Sequence, residues 1–504
     1  DCSESSSIYT FVYVFSSRIN MARGWTNSCV STGATPSIAP PPCTNIVVTK
    51  GNGQFSLTWT DPAAQGDNYT WKETVVRYKA GSAPTSATDG TVAVVETTRN
   101  QYASTPLTVT GLTNGVTYYI SVFPKSTSGG INTDGSQIVS VTPVAQKIYT
   151  IRIDQSNSNP LTCCTYADDA VGMTKGSSEW DDIFGYKPCI MQNGVVQDYL
   201  NPNDFTKYIS GASASITNTN YDVMIEFPRM GLDISTSGKV ITIKLTDAKN
   251  DSNFQYLAHK RGNVQKDYFY LGAYSATGLG SKLGSNSGVS PRINTSIADF
   301  ISLAHNRGSG YEIMGFYQWT YVQALYVMKY GNLNSQEALG RGLTSASSAQ
   351  STGATNTRGM CYGNPNSGTD RMKLFGLEDL WGNVYQFISG LYSDGNRNLL
   401  TTTDNFGVNT SVDAWEYNVS SGTTGNVSGY MAEPQGTNNG GFVIKIDGVS
   451  STTYYSDYAY LYDSNFPSVG GAWDDGDDAG VFNCYVDYAS LDSSEYLGSR
   501  LMYL

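Results

Sequence analysis

Four aspartates within five positions, Asp474, Asp475, Asp477 and Asp478, form the densest cluster of chemically capable side chains in the sequence. Clustered carboxylates can hold a hard cation through oxygen, but the D-D-G-D-D spacing is not that of an EF-hand calcium loop. Cysteines stand at 2, 29, 43, 163, 164, 189, 361 and 484 with no C-x-x-C pair, so a zinc ribbon is not indicated. Adjacent Cys163 and Cys164 read as two strand positions facing opposite ways. His259 and His305 are the only histidines, and no G-x-S-x-G elbow accompanies them. His305 closes a helical pattern, where a structural role at the C-terminal end suits it. The reading is therefore of a chain that is not an enzyme, with no catalytic residue, no metal and no cofactor.

The aspartates belong to a longer pattern, residues 469–504, V-G-G-A-W-D-D-G-D-D-A-G-V-F-N-C-Y-V-D-Y-A-S-L-D-S-S-E-Y-L-G-S-R-L-M-Y-L. One class of position suits short buried strands and tight turns: Gly470, Gly471, Trp473, Gly476, Ala479, Gly480, Val481, Phe482, Val486, Leu497, Gly498, Arg500 and Leu501. A second class is polar and repetitive: Asp474, Asp475, Asp477, Asp478, Tyr485, Asp487, Tyr488, Asp492 and Tyr496. Asp is a poor strand former, so an apolar frame interleaved with Asp and Tyr predicts a face held out to solvent. Phe482, Val486, Leu497 and Leu501 are expected in the core. Asp474, Asp478, Tyr485, Asp487, Tyr488 and Tyr496 are expected on one exposed face. Codons of the form xAY for Asp, Tyr and Asn differ only in the first base, so a template carrying Asn at these places gives this cassette by single-base changes.

On these residues the cassette resembles the variable region of receptor-binding proteins diversified by retroelements, found on phage tails and some bacterial surfaces. That pattern runs G-G-x-W-N-N-G-N-N-A-G, then aromatic residues, then N-x-N-N, and ends in G-x-R. The resemblance implies a C-type lectin fold on which Ala472, Asp474, Asp475, Asp477, Asp478, Asn483, Tyr485, Asp487, Tyr488, Asp492, Ser494 and Tyr496 form a variable ligand-binding set. Gly471, Trp473, Gly476, Gly480, Phe482, Gly498 and Arg500 would form its scaffold. Glu495 cannot arise from an Asn AAY codon by adenine mutation and falls outside the mutable set. The resemblance further implies a host cell-surface receptor, protein or glycan, as ligand, other phage tail proteins as partners, a homotrimer, and a place at the phage tail tip or else on a bacterial surface or outside the cell.

The elements that must position these residues follow from the rest of the chain. At 504 residues the length suggests about three domains. The net charge of −12 argues against a nucleic acid or an anionic membrane surface as partner. No apolar run reaches the length of a membrane-spanning helix. Residues 1–42 read as an N-terminal segment and a Pro-rich linker. The first 20 residues are either upstream of a true start at Met21 or an ordered strand. Residues 43–144 alternate as β-strands at Phe55, Leu57 and Trp59, at Leu107 and Val109, and at Ile120 and Val122. With Trp59, Tyr78 and the tyrosine-corner spacing Leu112-Thr-Asn-Gly-Val-Thr-Tyr118, they resemble an all-β immunoglobulin-like fibronectin type III sandwich.

Residues 145–504 read as the lectin-fold domain, with a β extension over 145–265. Strands are expected at Ile148–Ile153, Val223–Phe227 and Val240–Leu245. The run I-D-Q-S-N-S-N-P followed by C-C-T-Y-A-D-D-A-V-G-M resembles modules of phage tail proteins. Ser296 with Asp299 makes a capping-box-like helix start, and a more apolar helix runs from about Met314 to Tyr330, with Gly331 suited to its C-terminal cap. Residues Leu374–Phe387, L-F-G-L-E-D-L-W-G-N-V-Y-Q-F, resemble a motif shared by formylglycine-generating enzymes and retroelement-diversified lectin folds. This implies an α+β C-type lectin fold of the formylglycine-generating-enzyme-like subtype. The oxidases of that family hold copper through two nearby cysteines near the C-terminus. Here Cys484 stands alone, with Cys361 far upstream, so it reads as a buried small hydrophobe. Glu433-Pro-Gln435 and Trp473-Asp-Asp475 faintly resemble the calcium motifs of animal lectins, which makes a calcium-dependent glycan-binding lectin of the bacterial surface the alternative reading.

Overall fold

The computed structural model describes residues 37–404, 406–419, 427–430, 433–442, 444–445 and 457–504. The alternative starts at Asp1 and Met21, and Cys2 and Cys29, lie outside the described residues. The chain is mostly β-sheet with few helices, and it forms two compact units that divide between Val144 and Ala145.

In the first unit, strands Thr44–Gly51, Gln54–Thr60 and Leu107–Val109 make one sheet. Tyr69–Ala80 lies between Thr91–Glu96 and Tyr118–Ser126 in a second, with Ile138–Val141 beyond. Alternation places Phe55, Leu57 and Trp59 inward, against Val76, Ile120 and Val122. The Trp59 indole donates to Asp61 Oδ1 at 2.9 Å, and the Tyr118 hydroxyl accepts from the Thr113 amide at 3.1 Å. Pro40 is buried and its carbonyl accepts from Asn132 Nδ2 at 2.8 Å, so the end of the Pro-rich segment is fastened to this unit.

The second unit carries three larger sheets. One has the order Cys164–Asp168, Ile148–Asp154, Val240–Thr246, Gly231–Ser237. A seven-stranded antiparallel sheet runs from Asp204–Tyr208 through Asp222–Pro228 and Tyr268–Gly272 to Leu501–Tyr503 and Tyr311–Ile313. A mixed six-stranded sheet has the order Val427–Tyr430, Tyr458–Leu461, Cys484–Tyr488, Phe466–Val469, Tyr385–Phe387, Leu497–Ser499. The terminal cassette thus supplies strands to two sheets.

Helix Ile297–His305 starts at Ser296, whose hydroxyl accepts from the Asp299 amide. Helix Phe316–Tyr330 ends at Gly331 in the left-handed conformation, φ 51°. Its residues 316–329 are all buried, so it is a core helix rather than an amphipathic surface one. The pair Cys163–Cys164 corrects the sequence reading. Both are buried and their sulfurs approach to 3.7 Å. Cys163 precedes the strand, with its amide bound to the Asn159 carbonyl in a turn, so strand alternation does not apply to it.

What ties the cassette to the mid-chain motif is Arg500, which is fully buried. Its Nε donates to Gln386 Oε1, its Nη1 to the Gly272 carbonyl and its Nη2 to the Glu378 carbonyl, each at 2.7 Å. Gln386 Nε2 in turn donates to the carbonyls of Asp379 and Leu380 at 3.0 Å. Below it Arg371 forks onto the Asp379 carboxylate, and Asn383 Nδ2 donates to Asp379 at 2.9 Å. Glu378 accepts from the amides of Gly353 and Thr355 at 2.7 Å. The G-N-V-Y-Q-F and G-S-R signatures are two halves of one polar network.

Removing one partner of such a buried network leaves the others unpaired, at a cost of about 3–5 kcal/mol. Arg500→Leu should therefore lower the unfolding free energy of the second unit by about that amount in urea titration. Arg500→Lys restores the charge but not the fork and should recover only part of it. An unchanged midpoint for Arg500→Leu would show that the network carries no stability.

Candidate functional site

The backbone of the acidic loop is held from outside the loop. Gln336 Nε2 donates to the carbonyls of Gly476 and Ala479 at 2.8 and 2.7 Å. Gln323 Nε2 donates to the Val481 carbonyl at 2.9 Å, and Ser335 Oγ accepts from the Val481 amide at 3.1 Å. Asp457 Oδ2 accepts from the Phe482 amide at 2.6 Å. Gly480 is required here, because a Cβ at that position would lie 2.3 Å from Asp457 Oδ1. Gly470 and Gly471 take φ 91° and 83°, the left-handed region where glycine carries no Cβ penalty. Phe482, Val486, Leu497 and Leu501 are buried beneath.

The next strand contains the device that shapes the face. Val486 pairs with Pro467 and Tyr488 with Phe466, so Asp487 is the extra residue of a β-bulge. Strict alternation would send Tyr485 and Tyr488, three residues apart, to opposite sides. The bulge turns both to one side. Tyr485 packs on Tyr385 with ring centroids 5.1 Å apart, and Tyr488 packs on Phe387 at 5.7 Å, two positions along the same strand.

That side extends beyond the cassette. Tyr460 pairs in register with Tyr485, and their rings meet edge to face at 4.5 Å. Tyr458, Tyr430 and Tyr462 continue the row, with centroid separations of 5.4, 5.1 and 5.8 Å between neighbours. Tyr430, Tyr458, Tyr460 and Tyr462 were missed from the sequence. The alternation Y-A-Y-L-Y over 458–462 was the signal, since it places three tyrosines on one face of a strand.

Several expected surface residues are buried instead. Ala472 and Asn483 have no exposed area, and Tyr485 keeps only 9%. Ala472 lies in a turn closed by Asp475, whose Oδ2 accepts its amide at 2.5 Å. Asn483 bridges the two ends of the loop: its carbonyl accepts from Gly470 N at 3.3 Å and its Nδ2 donates to the Asp478 carbonyl at 3.0 Å. Tyr485 is covered by the rings of Tyr385, Tyr458 and Tyr460. Asp475 is half-buried and its carboxylate is committed to closing the turn at Ala472, which makes it part of the frame. Trp473, expected in the frame, is half-exposed and stacks on Tyr496 at 5.0 Å.

Asp474, Asp477 and Asp492 are exposed; Asp478, Asp487, Tyr488, Ser494 and Tyr496 are half-exposed. Asp477 pairs with Arg341 at 2.5 Å. Asp492 Oδ2 accepts the Ala489 amide at 2.7 Å and closes the next turn, whose tip, Leu491, is 79% exposed. Burial raises the carboxyls of Asp474, Asp478 and Asp487, the last to about 6. Among the described residues Asp487 Oδ1 is buried with no hydrogen-bond partner.

Elsewhere, His259 is buried and its ring nitrogen faces the Phe227 carbonyl at 3.2 Å, while His305 Nε2 meets the buried Glu312 at 2.6 Å. Cys484 is buried, and burial pushes its thiol up to about 12.

No protein-family model matches the chain, and no curated protein matches it. Among solved structures it is similar to the M1 and U1 variants of the Major Tropism Determinant. Identity is 10% and 11%, coverage is 78% and 77% of this chain against 81% and 80% of those, and TM-scores are 0.25 and 0.24. A chitinase, ChiA74 from Bacillus thuringiensis, aligns at 18% identity over 42% of this chain and 27% of its own, with a TM-score of 0.15. None of these overlaps reaches the level that defines a shared fold.

The Asp487 carboxyl gives a pH signature. Its folded value of about 6 lies above the ordinary 3.8. Its protonated form therefore favours the fold below about 4, and that contribution is lost as pH rises through 6. Asp487→Asn should melt higher than the parent at pH 7.5, with the gap closing between pH 6 and 4. A gap that does not change with pH would mean that Asp487 is fully solvated.

Proposed function

We propose that the second unit is a head of the C-type lectin class, of the formylglycine-generating-enzyme-like subtype but without catalytic function. It binds a host surface receptor through the face built around Tyr488. The first unit, with its sandwich strand order and Tyr118 corner, serves as a fibronectin type III-like spacer. The chain acts at a phage tail tip, in company with other tail proteins. The observation that carries this reading is the separation of roles in the cassette. Side chains outside it hold the loop backbone at Gly476, Ala479, Val481 and Phe482, while Asp474, Asp477, Tyr488, Ser494 and Tyr496 supply none of those bonds. A backbone held in this way tolerates exchange of the displayed residues, which is what retroelement diversification of the terminal cassette requires.

The tyrosines grip the ligand and the aspartates tune it. Tyr offers a large apolar area at the cost of ordering two torsions, and it is enriched at binding hot spots. Tyr488→Ala and Tyr460→Ala should each weaken adsorption of the purified chain to host cells by about 2 kcal/mol, roughly 30-fold, with melting little changed. Asp474→Asn should cost less, and its effect should shrink with added salt. Tyr485→Ala should instead lower the melting temperature. Normal adsorption by both Tyr488→Ala and Tyr460→Ala would remove this face as the binding site. Adsorption lost in a chelator would favour the calcium-dependent lectin.

Several heads on one fibre add avidity of about 10²–10⁴, and a homotrimer is the assembly expected. Light scattering of the full chain at micromolar concentration should give three times the chain mass; a monomer would contradict it.

A further inference from the structure

The cassette 469–504 holds seven acidic residues, Asp474, Asp475, Asp477, Asp478, Asp487, Asp492 and Glu495, and a single basic one, Arg500. Arg500 is fully buried and its guanidinium is consumed by carbonyls and Gln386. Arg341 neutralises Asp477, and Asp475 is taken up within the frame. Among the described residues no ion pair reaches Asp474, Asp478, Asp487, Asp492 or Glu495. Asp478 and Asp487 lie near Tyr460, Asp487 and Asp492 near Tyr488, and Asp474 and Glu495 near Tyr496, each of these rings half-exposed. Leu491, 79% exposed, projects beside Asp492.

We propose that this face docks onto a protein surface that presents arginine and lysine side chains around an apolar recess, with Leu491 entering the recess. This rests on the receptor-binding reading and names the partner's chemistry. Guanidinium groups stack on tyrosine faces and fork onto carboxylates, so a row of tyrosines edged by unpaired carboxylates suits arginine on both counts. The exposed leucine selects a protein over a glycan, because a large apolar side chain finds a matching recess on a protein surface and not on a hydroxylated sugar.

The test uses the full chain and whole host cells. Adsorption should fall at least tenfold between 50 and 500 mM salt on the order expected for screened surface charges. It should fall similarly in the combined variant Asp474→Asn, Asp478→Asn, Glu495→Gln, and again in Leu491→Ser, with melting curves showing each variant folded. Poly-L-arginine should compete and poly-L-glutamate should not. Pretreating the cells with protease should abolish adsorption, and periodate oxidation of their glycans should leave it intact. Loss on periodate with survival of protease would replace the protein partner with a glycan and overturn the inference. Adsorption indifferent to salt, in chains where Tyr488→Ala abolishes it, would overturn the basic partner while leaving the binding face in place. Indifference to both would remove the face as well. The salt series on the parent chain decides the matter even if the triple variant fails to fold.

Discussion

The geometry of the second unit depends on one buried cation. Arg500 has no solvent, so every donor it carries must meet an acceptor within the protein. Its acceptors come from two stretches far from it in sequence: Gly272 in the seven-stranded sheet, and Glu378 and Gln386 in the mid-chain motif. Satisfying them fixes where the chain crosses from the short strand Leu497–Ser499, in one sheet, to Leu501–Tyr503, in another. That crossing brings the end of the cassette beside Tyr385–Phe387, and those two rings are the floor on which Tyr485 and Tyr488 rest.

From this floor the exposed face is assembled by two further constraints. The glutamines and Ser335 hold the acidic loop by its backbone, so the loop's shape does not depend on most of the side chains that it presents. The bulge at Asp487 then sets the angle of Tyr488. It also exacts a local penalty, a half-buried carboxylate with an unsatisfied oxygen, and a strained feature beside a proposed binding face is where such penalties collect. Stability and recognition are thereby separated by residue: Arg500, Asp379, Gln323 and Gln336 on one side, Asp474, Tyr488 and Tyr496 on the other.

Much of the frame is legible in the sequence because residue type and local period specify it. Phe55, Leu57 and Trp59 alternate, Ser296 precedes a helix, and Gly331 follows one; each obeys a rule that acts over a few residues. The exposed face is less legible, for a physical reason. Whether Tyr485 is covered depends on Tyr458 and Tyr460, which reach it through a parallel strand pairing, and on Tyr385, which reaches it across the intervening strand Phe466–Val469; no local pattern announces either. Asn483 has the type of a surface residue but bridges the loop ends, and Ala472 is small enough to sit inside a turn that Asp475 closes. The bulge shifts register by one residue, and a one-residue shift exchanges the faces of a strand. Cys163 and Cys164 fail in the same way, because the strand begins between them.

The separation of frame from display can be measured in one chain. Asp474, Asp477, Tyr488, Ser494 and Tyr496 are replaced together by Asn, and the variant is melted and assayed for adsorption side by side with the parent. Exposed substitutions cost within about 0.5 kcal/mol each, and losing the Tyr488–Phe387 and Tyr496–Trp473 ring contacts adds about 1 kcal/mol each, so the five should move the midpoint by less than about 10 °C. A single cooperative transition within that range, with adsorption lost, is the expected result. A head that unfolds, or that melts in two steps, would contradict the separation and show that the displayed side chains hold the fold.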